Sequence, residues 1–146
     1  MQENKKRPTS FVVDRVTKLM AIDLATTPTT NLMAQLCGDA HLANFGWYGS
    51  PERDLVFDVN DFDETLPGSF EWDLKRMAAS FAIASADNGF DEKDSRKSAA
   101  ASVNAYRDTM STLAKEGFLD VWYTQVSADQ ILDDLEARGK TKKAKH

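Results

Sequence analysis

The chain has 146 residues, of which 42% are hydrophobic and 28% charged, with 7 Gly and 4 Pro. That composition suits one globular domain and excludes a collagen-like, low-complexity or disordered chain. Lys plus Arg number 18 and Asp plus Glu 23, a net charge of -5, so no general attraction to nucleic acid or to an anionic membrane is expected. The single cysteine, Cys37, has no partner for an internal disulfide, which argues against a disulfide-stapled secreted domain.

Met1 to Ser10 reads MQENKKRPTS. It is basic but has no apolar stretch behind it, so it is not a signal peptide. No run reaches the ~18 apolar residues that span a bilayer. The expectation is a cytoplasmic chain with a flexible start over 1–10, one domain over 11–138 and a basic mobile tail over 139–146.

Val16, Leu19, Met20 and Leu24 recur at spacings of three and four, which predicts a helix over 14–25. The threonines and Pro28 after it end that helix. Leu32 to Cys37 is a short apolar run and predicts a buried strand. The segment GDAHLANFG over 38–46 predicts a polar loop. Leu55 to Val59 predicts a second strand, after a turn at GSPERD. NDFDE over 60–64 is a second polar loop, and Pro67 with Gly68 predicts a turn.

Ser69 is positioned to cap a helix from Phe70 to about Asp87, with Glu71 and Asp73 in its first turn. Leu74, Met77, Ala78, Phe81 and Ala84 form its expected buried stripe. A long helix is expected from Asp91 to about Glu116, burying Ala100, Val103, Tyr106, Met110 and Leu113. Gly117 is the expected stop. Leu119, Val121 and Tyr123 alternate, which suggests an extended segment over 118–126. Ser127 and Gln130 form a capping box that opens a last helix to about Arg138. The fold class is α+β and mostly helical, with a small sheet carrying two acidic loops packed on helices.

Asp39 and Asn44 lie five apart in a Gly-bounded loop after a strand. Asp58, Asn60, Asp61, Asp63 and Glu64 follow as a second cluster. Their hard oxygens suit Mg²⁺ better than Zn²⁺. The chain has only two His, His41 and His146, so a His-rich zinc site is not expected. Phosphoryl transfer uses this set of groups: a carboxylate for the acceptor hydroxyl, and an Asn with a second Asp for the metal. The crowding of acids over 58–64 calls for a metal or a cation, and Arg76 or Lys75 is the expected neighbour. Trp47, Tyr48 and Trp72 read as core or rim packing.

GDAHLANFG, LVFDVNDFDETLPG and EWDLKRMAASFAIA together resemble a bacterial family called domain of unknown function 2252. That family is similar to the aminoglycoside phosphotransferase and choline kinase branch of the protein-kinase-like fold. Those enzymes carry H-G-D-x-x-x-x-N, then I-D-F or I-D-W, then an Asp at a helix start. Asp39, Asn44, Asp61 and Asp73 fall in that order here, and Cys37 stands where those kinases carry His.

The resemblance implies a C-terminal-lobe-like portion of a kinase-like fold. It implies Mg²⁺ and ATP as cofactors and a hydroxyl of a small molecule or protein as acceptor. Asp39 is then the catalytic Asp; His41, two residues on, reads from the residues alone either as a packed, hydrogen-bonded loop His or as a proton-transfer group. Asn44 and Asp61 hold metal, with Asp58 and Asp63 as alternatives in an ambiguous register, and Asp73 braces the loop. Thirty-eight residues precede Asp39, which is short for a nucleotide-binding N-terminal lobe, so the chain reads as a truncated central part. Its exposed lobe surface then suggests self-association. Two other readings remain open: a non-catalytic pseudokinase-like binding module, and a metal-dependent phosphohydrolase.

Overall fold

The structure is a computed structural model and describes residues 20, 22–24, 26–128 and 130–131. Among the described residues the elements run in the order β1 (Met33–Leu36), β2 (Phe45–Gly49), β3 (Leu55–Val59), β4 (Leu66–Ser69), α1 (Glu71–Asp87), α2 (Glu92–Leu113) and α3 (Phe118–Trp122). A short 3₁₀ turn, Leu42–Asn44, precedes β2. The class is α+β, as the sequence predicts.

The strands form two separate antiparallel pairs rather than one small sheet. β1 pairs with β4, from Met33 opposite Ser69 to Leu36 opposite Leu66. β2 pairs with β3, from Phe45 opposite Val59 to Gly49 opposite Leu55. The second pair is thus nested inside the first. Leaving β1 and re-entering β4, the chain crosses the same gap twice, once over 37–44 and once over 60–65. This nesting lays the two polar loops side by side.

Two strands depart from expectation. β2 starts within the segment read as a loop, and Gly46 belongs to it. β4 includes Pro67 and Gly68, read as a turn. Pro lacks the N–H of a ladder donor, and an edge strand tolerates it. Gly68 packs closely on its partner strand: a Cβ there would sit 2.6 Å from Leu36 Cδ1, so the leucine side chain would have to shift.

α1 begins at Glu71 with Phe70 as its N-cap. Ser69 is not the cap; its hydroxyl donates to Glu71 Oε2 instead. Thr30 donates to Glu71 Oε1 twice, from its N–H at 2.6 Å and its hydroxyl at 2.7 Å. These donors, Ser69 first, hold the Glu71 carboxyl down to about 2. The expected stripe of α1 is half-buried, and the one fully buried residue of the helix is Arg76.

Asp91 caps α2 by accepting from the Asp94 N–H. The inward face of α2 differs from the predicted one. Val103, Tyr106 and Met110 are exposed. The less exposed residues are Ser95, Ser98, Ala99 and Ser102, a stripe of small side chains at helical spacing, and, as predicted, Leu113 at the helix end,. Small residues let α2 lie close against α1, which leaves the larger apolar residues outside. Tyr106 still stacks on Phe70 at 6.1 Å.

Gly117 is the N-cap of α3, not a stop. The stretch 118–122 is helical because Phe118 and Trp122 meet at one-turn spacing, 6.2 Å apart,. Extended backbone follows it. Val126 accepts from the Phe57 N–H at 2.8 Å, and Ser127 bridges Val56 on β3. The Ser127–Gln130 capping box is present in both directions, at 3.1 and 3.3 Å. Its helix to Arg138 lies outside the described residues. So do most of the predicted 14–25 helix, of which Met20 and Ile22–Leu24 are helical, and the two terminal segments.

The buried apolar residues among those described are Leu24, Leu36, Ala40 and Val56. Leu36 and Ala40 flank the first polar loop, so that loop lies against the core. Among the described residues, no helix is long and apolar enough to cross a membrane.

Candidate functional site

The loop over 37–44 is pinned from one side by α1. Asp73 Oδ2 accepts from the Cys37 N–H at 2.7 Å, and Oδ1 from the Gly38 N–H at 3.2 Å. One turn on, Arg76 Nη1 pairs with Asp39 Oδ1. One turn further, Ser80 Oγ accepts from the Leu42 N–H at 3.0 Å. Residues 73, 76 and 80 follow the three- and four-residue spacing that places side chains on one helix face. A single face of α1 thus fixes the backbone of the loop at both ends and its carboxylate in the middle.

His41 Nε2 lies 3.3 Å from Asp39 Oδ2, so both carboxylate oxygens of Asp39 face a nitrogen. The His41 N–H donates to the Asp39 carbonyl at 2.8 Å, and the Asn44 N–H to the His41 carbonyl at 2.9 Å. These bonds curl the loop into its 3₁₀ turn. Asp39 and His41 keep 15% and 20% side-chain exposure.

Asn44 is 7% exposed and ties the two loops together. Its Nδ2 donates to the Asp39 carbonyl at 3.1 Å and to the Asp61 carbonyl at 3.0 Å. The Asn60 N–H returns a bond to the Asn44 carbonyl at 2.9 Å. Gly38 makes the other contact. Its φ is +87°, and a Cβ there would lie 1.9 Å from the Glu64 carbonyl oxygen. Only glycine serves this position, because it admits the left-handed backbone and leaves room for the second loop.

The Cys37 thiol sits between Asn44 Nδ2, at 3.7 Å, and the Asp61 carbonyl, at 3.9 Å. Burial, followed by the nearby charges of Asp73 and Asp39, pushes this thiol up from its ordinary value. Cys37 is therefore held as a neutral thiol that packs between the loops.

The acidic loop is held more loosely. Asp61 Oδ1 accepts from the Asp63 N–H at 3.1 Å, a turn closed by its own side chain,. Asp58 sits in β3 opposite Gly46 and accepts from its own neighbour, the Val59 N–H, at 2.8 Å. Among the described residues, no three His, Cys, Asp or Glu side chains gather closely enough to hold a metal ion. Asp58, Asp61 and Asp63 therefore do not form a carboxylate cage. Asn44 reaches this loop through the backbone carbonyl of Asp61.

The cations next to the acidic loop are not where the sequence suggests. Arg76 turns to Asp39. Lys75 Nζ bonds Thr27 Oγ1 at 2.6 Å and the Pro28 carbonyl at 3.0 Å, anchoring the segment before β1. Trp47 packs edge-on against Phe57 at 5.1 Å and remains 46% exposed. Sequence reasoning offered Arg76 to the 58–64 acids rather than to Asp39, and missed Ser80. The available signal was their spacing from Asp73 on a helix whose other faces are apolar.

A bacterial family described as "Uncharacterized protein conserved in bacteria (DUF2252)" matches residues 16–146. No curated protein and no solved structure matches the chain.

Proposed function

The chain belongs to the DUF2252 family, and we propose from its loop geometry that it is built for Mg²⁺-dependent phosphoryl transfer from ATP to a hydroxyl, on a fold like the C-terminal lobe of a protein kinase. The observation that carries this reading is the joint held by Asn44. One buried amide links the carbonyl of Asp39 to that of Asp61, while Asp73 fixes the loop from behind. A phosphotransferase needs its acceptor-orienting carboxylate and its metal ligands on two backbones held at a fixed offset.

The donor set fits magnesium. Asn44 spends its amide nitrogen on the two carbonyls, which leaves its amide oxygen as one hard donor, with the Asp61 carboxylate on the adjoining loop as a second. Magnesium is ordinarily held by one or two protein oxygens, with nucleotide phosphates and water completing the shell. When bound, the ion supplies charge neutralisation at the transferring phosphoryl group. Asp39 orients the acceptor hydroxyl and takes up its proton, and His41 lines the same edge. Asp73 acts on the loop backbone alone.

Thermal unfolding with ATP, with and without Mg²⁺, tests this reading. Ligand at ~100 times its Kd stabilises the fold by about 2.7 kcal/mol. The expected result is an upward shift of Tm that requires Mg²⁺ and is lost in Asp61→Asn. A cooperative transition that ignores MgATP contradicts the reading.

A further inference from the structure

We propose that Arg76 is a positioning residue for Asp39. Its guanidinium fixes the carboxylate on the face of α1 so that the remaining edge, beside His41, is presented to the acceptor. The inference rests on the reading of Asp39 given above and adds a residue that the loop motifs do not contain.

Three observations support it. First, Arg76 is 6% exposed, the one fully buried residue of its helix. Buried arginines are rare and need a specific partner, since their desolvation is costly. Second, one partner is Asp39, on Oδ1, while His41 stands near Oδ2. Arg76 thereby holds one carboxylate oxygen, and His41 Nε2 lies 3.3 Å from the other. Third, Lys75, next along the helix, goes to the segment before β1. The site therefore uses a guanidinium, an always-charged and weakly hydrated group suited to a buried ion pair, rather than an ammonium.

A merely structural ion pair predicts lost stability and nothing else. A positioning role predicts effects that pass through Asp39. His41 reports on this directly, because it touches the other Asp39 oxygen and is one of only two His in the chain. The experiment combines ring NMR of His41 with ATP turnover in Mg²⁺. It uses the full chain, Arg76→Gln, Arg76→Lys, Asp39→Asn, and the double variant Arg76→Gln with Asp39→Asn.

The expected result is that Arg76→Gln moves the His41 ring resonances as Asp39→Asn does. The double variant adds no further movement, and Arg76→Lys restores part of the native spectrum. In turnover, Arg76→Gln lowers kcat by ~10-fold or more with KM for MgATP little changed, as displacement of a catalytic group does. A variant that melts lower but leaves the His41 resonances and kcat unchanged overturns the proposal. If Arg76→Gln does not fold, Arg76→Lys decides, because it keeps the charge and loses the guanidinium: native kcat and native His41 resonances overturn the proposal. If the native chain does not turn over MgATP, the phosphotransfer reading fails. The positioning of Asp39 is then decided by the resonances alone: coincident movement in Arg76→Gln and Asp39→Asn supports it, and an unmoved His41 overturns it.

Discussion

The two loops that meet at Asn44 are held in opposite ways. The loop over 37–44 is fixed by side chains of a helix: Asp73 on two N–H groups, Arg76 on a carboxylate, Ser80 on a third N–H. The loop over 60–64 meets the first through backbone groups, and its acids are exposed. Asp61 folds onto the Asp63 N–H. On the proposed reading, the contrast separates two tasks. A group that orients a hydroxyl must be in place before the substrate arrives. A group that binds a cation gains from remaining solvated until the cation supplies the missing charge.

Perturbing the anchored loop should cost most. Asp73→Ala removes the acceptor of two charge-assisted bonds and leaves the Cys37 and Gly38 N–H groups without it. We expect a loss of about 3 kcal/mol in urea unfolding, and Asp73→Asn, which keeps an acceptor oxygen, should lose less. An Asp73→Ala chain of native stability would show that the loop holds itself.

The contact between the loops comes next. Gly38→Ala forces a β-carbon into the left-handed region and onto the Glu64 carbonyl. The expected cost is about 2 kcal/mol from the backbone alone. The loops should also separate, visible as loss of protection at the Asn60 amide, which bonds the Asn44 carbonyl, in hydrogen exchange.

Glu71 gives the anchored side a pH signature. Its carboxyl is held at about 2 against an ordinary 4.5. A carboxyl lowered by folding adds stability above its unfolded value and loses it as pH falls through the folded one. Stability should therefore decline between about 4.5 and about 2, and Glu71→Gln should flatten that part of the curve. An unchanged acid limb in Glu71→Gln would remove the Ser69–Thr30–Glu71 knot from the account.

The smallest effect belongs to the acidic loop. Asp63 is exposed, and Asp63→Asn should change stability by less than about 0.5 kcal/mol. A large loss in the absence of metal would mean that this loop, too, is internally anchored.

How far this was legible in the sequence follows the strength of local signals. β3 was readable over its full span, because Leu55 to Val59 is a compact apolar run between turn residues. The α1 span and the Ser127 capping box were readable for similar reasons. β2 and β4 were not, because Gly46, Pro67 and Gly68 are ordinary turn residues. They form strands here because Asn60 fills the space beside Gly46 and Leu36 the space beside Gly68, contacts that local patterning does not carry. The inward face of α2 was misread for a related reason. Large apolar side chains are usually the buried ones, but here close helix contact selected Ser95, Ser98, Ala99 and Ser102. At the site, motif order named Asp39, Asn44, Asp61 and Asp73, and the fold places them on two adjoining loops and one helix. Arg76 was visible only as a charge near acids. Its choice of Asp39 over the 58–64 cluster depends on the helix face it shares with Asp73.

The most direct test of a cation held between an anchored loop and a loose one is paramagnetic broadening by Mn²⁺, added with ATP to the ¹⁵N-labelled chain. The account predicts that the Asn44 side-chain amide and the backbone amides over 61–63 broaden first, while those around Asp58 in β3 persist. Broadening centred on Asp58, or spread evenly over the acidic surface without regard to ATP, would contradict it.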